Sequence, residues 1–513
     1  MSEPFSYDSV PYPSFTFAKT GPERLATLAA INGMRSTDPS ECSYLELGCG
    51  DGTNLLSHAY AYPNSRFFGI DLSQAHIDAA NRAIADLGIK NAAFQQLDLM
   101  DLKQGELNKF DYIVAHGLFS WVPEPVRLQV LRIYAEYLQP NGVGYISYNA
   151  YPGCHIREIT NEIMQFHTRK MGTPIEKVNS GASILKFIGD VVLQDSIYQS
   201  MIRLELEGMI DRRPENIFHD DLSDLNQPFY FHEFAEMLDG IGMQYLSEAD
   251  ASEPGSVNLS EKAFSVVDSI SSNRIEREQY LDFICCRRFR STLFCRENIQ
   301  LNADYLKTHL HEFYLSAQLS CRDEVSDLGS RKPETFSHAN GASIESDHPL
   351  TRAAIRYLSD QWSWSVGFNE LIEKCGEMPG LSPDSRTEND VSQTRDFMIE
   401  LIRAGVVKLR LNPNLGVPEP GPKPCVSRFA RWQIERGGRS VTTLTGLSLE
   451  PDNEIVKVII TLADGTRDLD EIVNSVMENL EPPKGDLAEF QAAVVESVES
   501  NLRILARNGL LEA

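Results

Sequence analysis

The chain is poor in cysteine: nine in 513 residues, an odd number, with no C-x-x-C pair. That scarcity excludes a disulfide framework and a zinc cage, which both need thiols paired at short spacing, and it points to the reducing cytoplasm. Long apolar runs are missing as well. The most apolar stretches, such as Val458–Leu462 and Ala492–Val495, fall far short of the ~18 residues that a membrane-spanning helix needs. The opening residues Met1-Ser2-Glu3-Pro4-Phe5-Ser6-Tyr7-Asp8 contain neither a basic stretch nor an apolar one, so no signal peptide is expected. Basic residues are also few. Lys plus Arg number 47 against 73 Asp plus Glu, a net charge of −26. Such a surface repels polyanions, which excludes non-specific binding to nucleic acid or to anionic membrane. It suits a basic or lysine-bearing partner, although solubility alone also accounts for it.

The chain has ample material for buried cores: 42% of it is hydrophobic and 23% charged. At about 150 residues per domain, three or four domains are expected. The strongest pattern lies in residues 43–150. Ser43–Leu47 predicts a buried strand, followed by Gly48-Cys49-Gly50-Asp51-Gly52 and a helix from Asn54. Arg66–Ile70 predicts a second strand ending in Asp71, and Ser73 caps a helix running to Leu87 with Gly88 at its end. Ala93–Gln96, Phe110–Ala115 and Val143–Tyr148 complete five strands, with a helix over Val126–Leu138 before the last. Strands alternating with helices at this spacing describe an α/β fold, a parallel sheet covered on both faces.

After residue 171 the alternation breaks. Residues 172–228 are polar and helical, an insertion that would serve as a lid or a dimer contact. Residues 229–300 resume the α/β pattern with a helix at Phe229–Gly240, a strand at Met243–Ala249, a helix at Arg274–Arg287 and a strand at Arg290–Arg296. Residues 301–348 form a middle segment whose end, Asp323–Pro349, is rich in Ser, Gly, Asp and Pro and predicts a linker. Within 349–513 two segments resemble each other. Leu401–Val407 and Leu505–Leu511 each turn at Gly into an apolar piece, and Phe368–Ile372 parallels Arg467–Ile472. Two winged-helix-like α+β halves, separated by the Pro-rich Pro413–Pro424, are expected.

The glycine loop sits at the carboxyl end of the first strand, where open α/β sheets bind ligands. A dinucleotide fingerprint needs glycine at position 53, where this chain has Thr53, and a P-loop needs a lysine that is absent after Gly50 and Gly52. Glu46, two residues before Gly48, would repel a pyrophosphate and suits a cationic ligand. Asp71 can accept from both ribose hydroxyls, and Asp98 from an adenine amino group. Together they describe a pocket for an adenosine with a cationic tail, the form of S-adenosylmethionine. Gly48, Cys49, Gly50, Leu72 and Leu99 join Glu46, Asp71 and Asp98 as expected cofactor contacts.

Residues Ser43 to Tyr148 carry these features and resemble class I S-adenosylmethionine-dependent methyltransferases. More narrowly, the chain is similar to bacterial methyltransferases with an appended regulatory domain, a family that includes rickettsial enzymes methylating lysines of an outer-membrane protein. The segments His116–Pro123, Ser147–Gly153, Asn226–His232 and Glu278–Phe283 carry that likeness. Where family members commonly have Trp after Pro152-Gly153, this chain has Cys154. The resemblance implies a Rossmann-like core of seven strands with dimerisation, middle and C-terminal parts.

Methyl transfer from a sulfonium is mainly a matter of positioning. A lysine acceptor must also lose its proton, with a reference pKa of about 10.4, through desolvation or a nearby base. His116, at the end of the fourth strand, is the expected base or polar contact and a cofactor neighbour. Trp121, Tyr148, Asn149 and Tyr151 are expected to wall the acceptor site. Tyr7, Tyr12 and Phe15, in an aromatic N-terminal arm, are expected to fold over the cofactor. His167, His219 and His232 lack paired spacing and are assigned no metal. Protein lysine, on an outer-membrane protein before export, is the expected acceptor. The alternatives are a small-molecule acceptor and a non-catalytic cofactor-binding recruiter; a homodimer is the expected assembly.

Overall fold

The computed structural model describes residues 14–191, 196–249, 260–321, 327–339, 341–381, 386–480 and 487–513. Its centre is a seven-stranded sheet of β1 (Ser43–Leu47), β2 (Arg66–Asp71), β3 (Ala92–Gln96), β4 (Phe110–Ala115), β5 (Leu138–Asn149), β6 (Met243–Glu248) and β7 (Phe289–Arg296). The spatial order is β3-β2-β1-β4-β5-β7-β6. β1 to β5 run parallel, and β7 lies antiparallel between β5 and β6. Each of the strands expected from sequence is present within a few residues of its expected ends.

Every residue of β1 is buried, because helices cover both faces of a parallel sheet. Alternate residues face opposite sides. Tyr44, Phe67, Tyr112, Val114, Val143 and Tyr145 pack with Leu25 and Ala29 of a helix over Pro22–Ile31 and with Leu55 and Ala59 of Thr53–Ala61. Leu45, Leu47, Ile70, Ile113, Ile146 and Tyr148 pack against Val130, Leu131 and Tyr134 of Glu124–Tyr137 and Phe234 of Phe231–Asp239. The helix Pro22–Ile31 was not anticipated. Its signal is local: Pro22 occupies the first helical turn, where a missing N–H costs nothing.

The insertion is a helical bundle. Pro174–Asp190, Ile197–Ile210 and Pro214–Asp221 join Cys154–Thr168 around Met164, Val178, Leu185, Ile202 and Met209. Arg157 and Arg212 hold the buried Asp221, and Arg288 grips Glu205 in a two-pronged pair.

The expected linker over 323–349 is corrected. Strands Glu334–His338 and Ser343–Ser346 form a hairpin that pairs onto Leu319–Cys321. Each contributes one well-buried apolar side chain, Phe336 and Ile344, too little to stand out from a polar composition. The polar residues around them are nonetheless used: the fully buried Arg352 takes the Glu334 carboxylate and the carbonyls of Asp327, Leu328, Ser330 and Lys332. In sequence the segment lies within a sheet in which Tyr314–Ala317, before it, pairs with Val366–Gly367 and Val407–Arg410, after it. The two C-terminal halves close alike. Gly405 and Gly509, at φ of 71° and 70°, let Val406 and Leu510 donate back to Leu401 and Leu505. Among the described residues no helix is long and apolar enough to cross a membrane.

Candidate active site

The site forms where β1, β2 and β4 end. Gly48, Gly50 and Gly52 have φ of 69°, 55° and 77°, a left-handed backbone that side chains disfavour. A Cβ on Gly52 would lie 2.5 Å from the Phe94 ring, whereas one on Gly50 would meet nothing within 4 Å among the described residues. One glycine is therefore needed for packing, and the other leaves open space above the loop. Gly48 and Cys49 donate to the Ile70 carbonyl at 2.8 and 3.1 Å, which ties the loop to β2. Cys49 turns inward: its carbonyl accepts from Gly52, and its buried thiol is pushed well above its ordinary value by desolvation.

Glu46 is buried among these groups. Its Oε1 accepts from Asn54 Nδ2 at 2.9 Å, while Oε2 is buried with no hydrogen-bond partner among the described residues. Burial pushes the carboxyl up to about 8, Asp51 and Asp71 add to the rise, and the Asn54 bond opposes it. A buried carboxylate oxygen without a donor is costly, and a cationic ligand relieves that cost. Asp71, at the tip of β2, accepts from Gly50 N at 2.8 Å and Ser73 N at 2.9 Å, one bond on each oxygen. His76 Nδ1 stands 3.5 Å from Oδ1 as well, and the acceptor positions left on the carboxylate suit a diol. Leu72 is half exposed beside it. Asp98 is exposed and accepts from Met100 N at 2.9 Å, with Leu99 buried next to it.

A strap, Ser14–Thr20, crosses the loop. Ser14 bonds Asp51, Phe17 N donates to Asn54 Oδ1 at 2.8 Å, and Thr20 Oγ1 lies 3.0 Å from Asn54 Nδ2. Phe15 packs beneath the Arg213 guanidinium. Tyr7 and Tyr12 lie outside the described residues. The Phe17 ring lies tilted against the His116 ring, 4.1 Å between centres, and His116 also packs edge-on against Phe289 and bonds Tyr145 OH through Nδ1 at 2.8 Å. Burial pushes His116 down to about 3, with the Lys19 charge adding to the fall. Lys19 Nζ lies 5.0 Å from the Phe289 ring centre.

The other expected wall residues separate into two groups. Asn149 N donates to Ser120 Oγ and its side-chain amide to Asn226 Oδ1. Tyr151 stacks on His155 and gives its hydroxyl to Glu158 at 2.6 Å. Trp121 is half buried at the end of the turn Phe119–Trp121. Tyr148 is the correction. It faces the core, stacked 4.2 Å from Phe234 with its hydroxyl 3.3 Å from Thr292; strand alternation sends it to the face opposite Tyr145. Asn54, Phe17, Lys19, Tyr145 and Phe289 were missed. Phe289 could not be reached by the rule that strands bring their carboxyl ends to the site, because β7 runs backwards. Among the described residues no cluster of three His, Cys, Asp or Glu side chains is arranged to hold a metal ion.

Three family models match the chain: a methyltransferase domain over residues 45–143, a predicted methyltransferase regulatory domain over 213–296, and the PKMT C-terminal winged helix domain over 422–510. An uncharacterised protein of Rickettsia prowazekii is 27% identical over 489 residues, 94% of this chain and 87% of that one. A second from the same organism is 37% identical over 232 residues, 45% of this chain and 92% of that one. The structure of PKMT2 from Rickettsia typhi in complex with AdoHcy superimposes with a TM-score of 0.88 at 28% identity, covering 98% of this chain and 100% of that one.

Proposed function

Since this chain belongs to the class I S-adenosylmethionine-dependent methyltransferases that carry a regulatory domain, we propose that it methylates lysine side chains of proteins. The reading is carried by its whole-length likeness to PKMT2, a protein lysine methyltransferase by name, with the matching C-terminal winged helix. By family resemblance, the acceptor put first is an outer-membrane protein before export. The nine unpaired cysteines fit a cytoplasmic enzyme.

The strand tips fit the cofactor. The partnerless Glu46 oxygen suits the methionine ammonium, the free acceptor positions of Asp71 suit the ribose diol, and the space above Gly50 admits a ligand against the main chain. When bound, S-adenosylmethionine supplies an electrophilic methyl group on a sulfonium. The protein's part is to hold an uncharged amine in line with it. His116, packed between Phe17 and Phe289, stays neutral across physiological pH and is too weak a base to take a proton from an ammonium. Its role is that of a neutral wall. The acceptor sheds its proton to water as it enters an aromatic, desolvated site, and the Phe17 and Phe289 faces stabilise the positive charge that develops on nitrogen. Asn149, Trp121 and Tyr151 line the approach on the β5 side. The apolar residues exposed on the insertion, Phe187, Ile197, Leu204 and Ile210, are the ones a second copy would cover.

The test is transfer of labelled methyl into cell extract, with protein separated from small molecules and then hydrolysed. Methyl-lysine in the protein fraction is expected. Label confined to small metabolites overturns the lysine reading.

A further inference from the structure

We propose that the C-terminal winged-helix domain completes the cofactor site without touching the cofactor. Thr442, on the hairpin formed by Val441–Thr442 and Ser448–Leu449, acts as a positioning residue for the strap and, through it, for Glu46. The connection is a chain of buried hydrogen bonds. Thr442 Oγ1 accepts from Gln433 Nε2 at 2.8 Å, and Thr442 N donates to Gln433 Oε1 at 2.7 Å. The Thr442 hydroxyl so held lies 3.3 Å from Thr16 Oγ1 and shares a buried hydrogen bond with it, in which either oxygen can be the donor. The next strap residue, Phe17, donates to Asn54 Oδ1, and Asn54 Nδ2 in turn holds Glu46 Oε1. Three links thus run from the domain to the carboxylate whose second oxygen, on the reading proposed above, meets the cofactor's ammonium.

A second contact runs beside the first. A Cβ on Gly446 would lie 3.1 Å from His58 Cε1 and 3.4 Å from Ala18 Cα. The hairpin therefore sits directly against the strap and against His58, which reaches Thr20 at 3.3 Å. The strap has only a single turn of helix, Ala18–Thr20, of its own, and so depends on neighbours for its shape. The same domain is also fastened elsewhere: Trp432 and Arg436 reach Asp86, and Arg428 N donates to Tyr60 OH. Those contacts hold the domain on the core without involving the strap, and they serve as the control.

The experiment uses the full chain and S-adenosylhomocysteine as the calorimetric probe. Thr442→Val removes the hydroxyl at nearly constant volume, and the dissociation constant is expected to rise roughly fivefold, the worth of one buried neutral hydrogen bond. Thr442→Ser restores tight binding. Thr16→Val, made from the strap side, also weakens binding, and the double variant is no weaker than Thr442→Val alone, because Thr442→Val already removes the bond that the two residues share, along with the acceptor of Gln433 Nε2. Asp86→Ala binds like the wild type. Wild-type affinity in both Thr442→Val and Thr16→Val overturns the proposal. So do additive losses in the double variant, failure of Thr442→Ser to rescue, or an equal loss in Asp86→Ala, which would mark general loosening of the domain.

Discussion

Raising the pH from 6 to 8 is expected to tighten binding of S-adenosylhomocysteine, and Glu46 is the reason. This probe has the ammonium and carboxylate of the cofactor without the sulfonium charge, so it isolates the contact at the methionine end. In the empty site burial holds the Glu46 carboxyl up at about 8, and only the ionised form pairs with an ammonium. The sign follows directly. Below that value the empty protein carries a proton that the ligand must expel, so affinity falls as the pH falls. The binding-competent fraction is about one half at pH 8, a tenth at pH 7 and a hundredth at pH 6, and the apparent dissociation constant scales with its inverse. Roughly tenfold weakening is therefore expected between pH 7 and pH 6. Calorimetry at pH 7 in buffers of different ionisation enthalpy would register the release of about 0.9 proton per ligand bound. Glu46→Gln removes the titrating group, so its binding is weak but level across the same range. A wild type with level affinity and no proton release would refute the reasoning, because the partnerless oxygen would then not face the ammonium.

Four further outcomes are expected. Gly50→Ala places a side chain at a left-handed position with open space around it; stability falls by about 1 kcal/mol while cofactor binding is lost, and retained binding in calorimetry would deny that the ligand lies over the loop. Asp71→Ala weakens S-adenosylhomocysteine binding at least tenfold, and unchanged affinity would remove it from the ribose site. His116→Ala lowers turnover more than cofactor affinity, whereas equal losses would make it a binding residue only. Arg290 is fully buried with both Asp282 oxygens, Glu248 and Glu278 around it. Arg290→Met removes the buried cation from among these carboxylates, of which Asp282 keeps Arg287 and Glu248 keeps Ser291 N and Thr292 Oγ1, at a cost of about 3–5 kcal/mol, read as a shifted urea midpoint; an unmoved midpoint would show the network to be dispensable.

The sheet was legible because the strands from Ser43 to Tyr148 are short runs that alternate with helices at even spacing, and a parallel sheet covered on both sides leaves them little other freedom. The cofactor side of the site was legible for the same reason, since Glu46, Gly50 and Asp71 stand at strand ends. What sequence could not supply was side-chain direction in a strand buried on both faces. Tyr148 and Tyr145 are both aromatic and both buried, and only pairing against neighbouring strands decides which of them reaches His116. Contacts between distant segments were equally hidden. Thr16 meets Thr442 across 426 positions, and nothing in either local sequence announces the other. The hairpin at Glu334–Ser346 was missed because its strands bury so little apolar surface, their stability coming instead from a cation held by carbonyl groups.

The reversed direction of β7 has a mechanical consequence. In a strand parallel to its neighbours, the residue at the reacting end is separated from the next helix by a loop that absorbs movement. Here Phe289 opens its strand, and only three residues, Cys286, Arg287 and Arg288, separate it from the helix Arg274–Cys285. Arg287 is pinned to Asp282 in the last turn of that helix, so the joint is stiff. Any tilt of this helix therefore pulls the Phe289 ring with it, as a short crank turns a shaft.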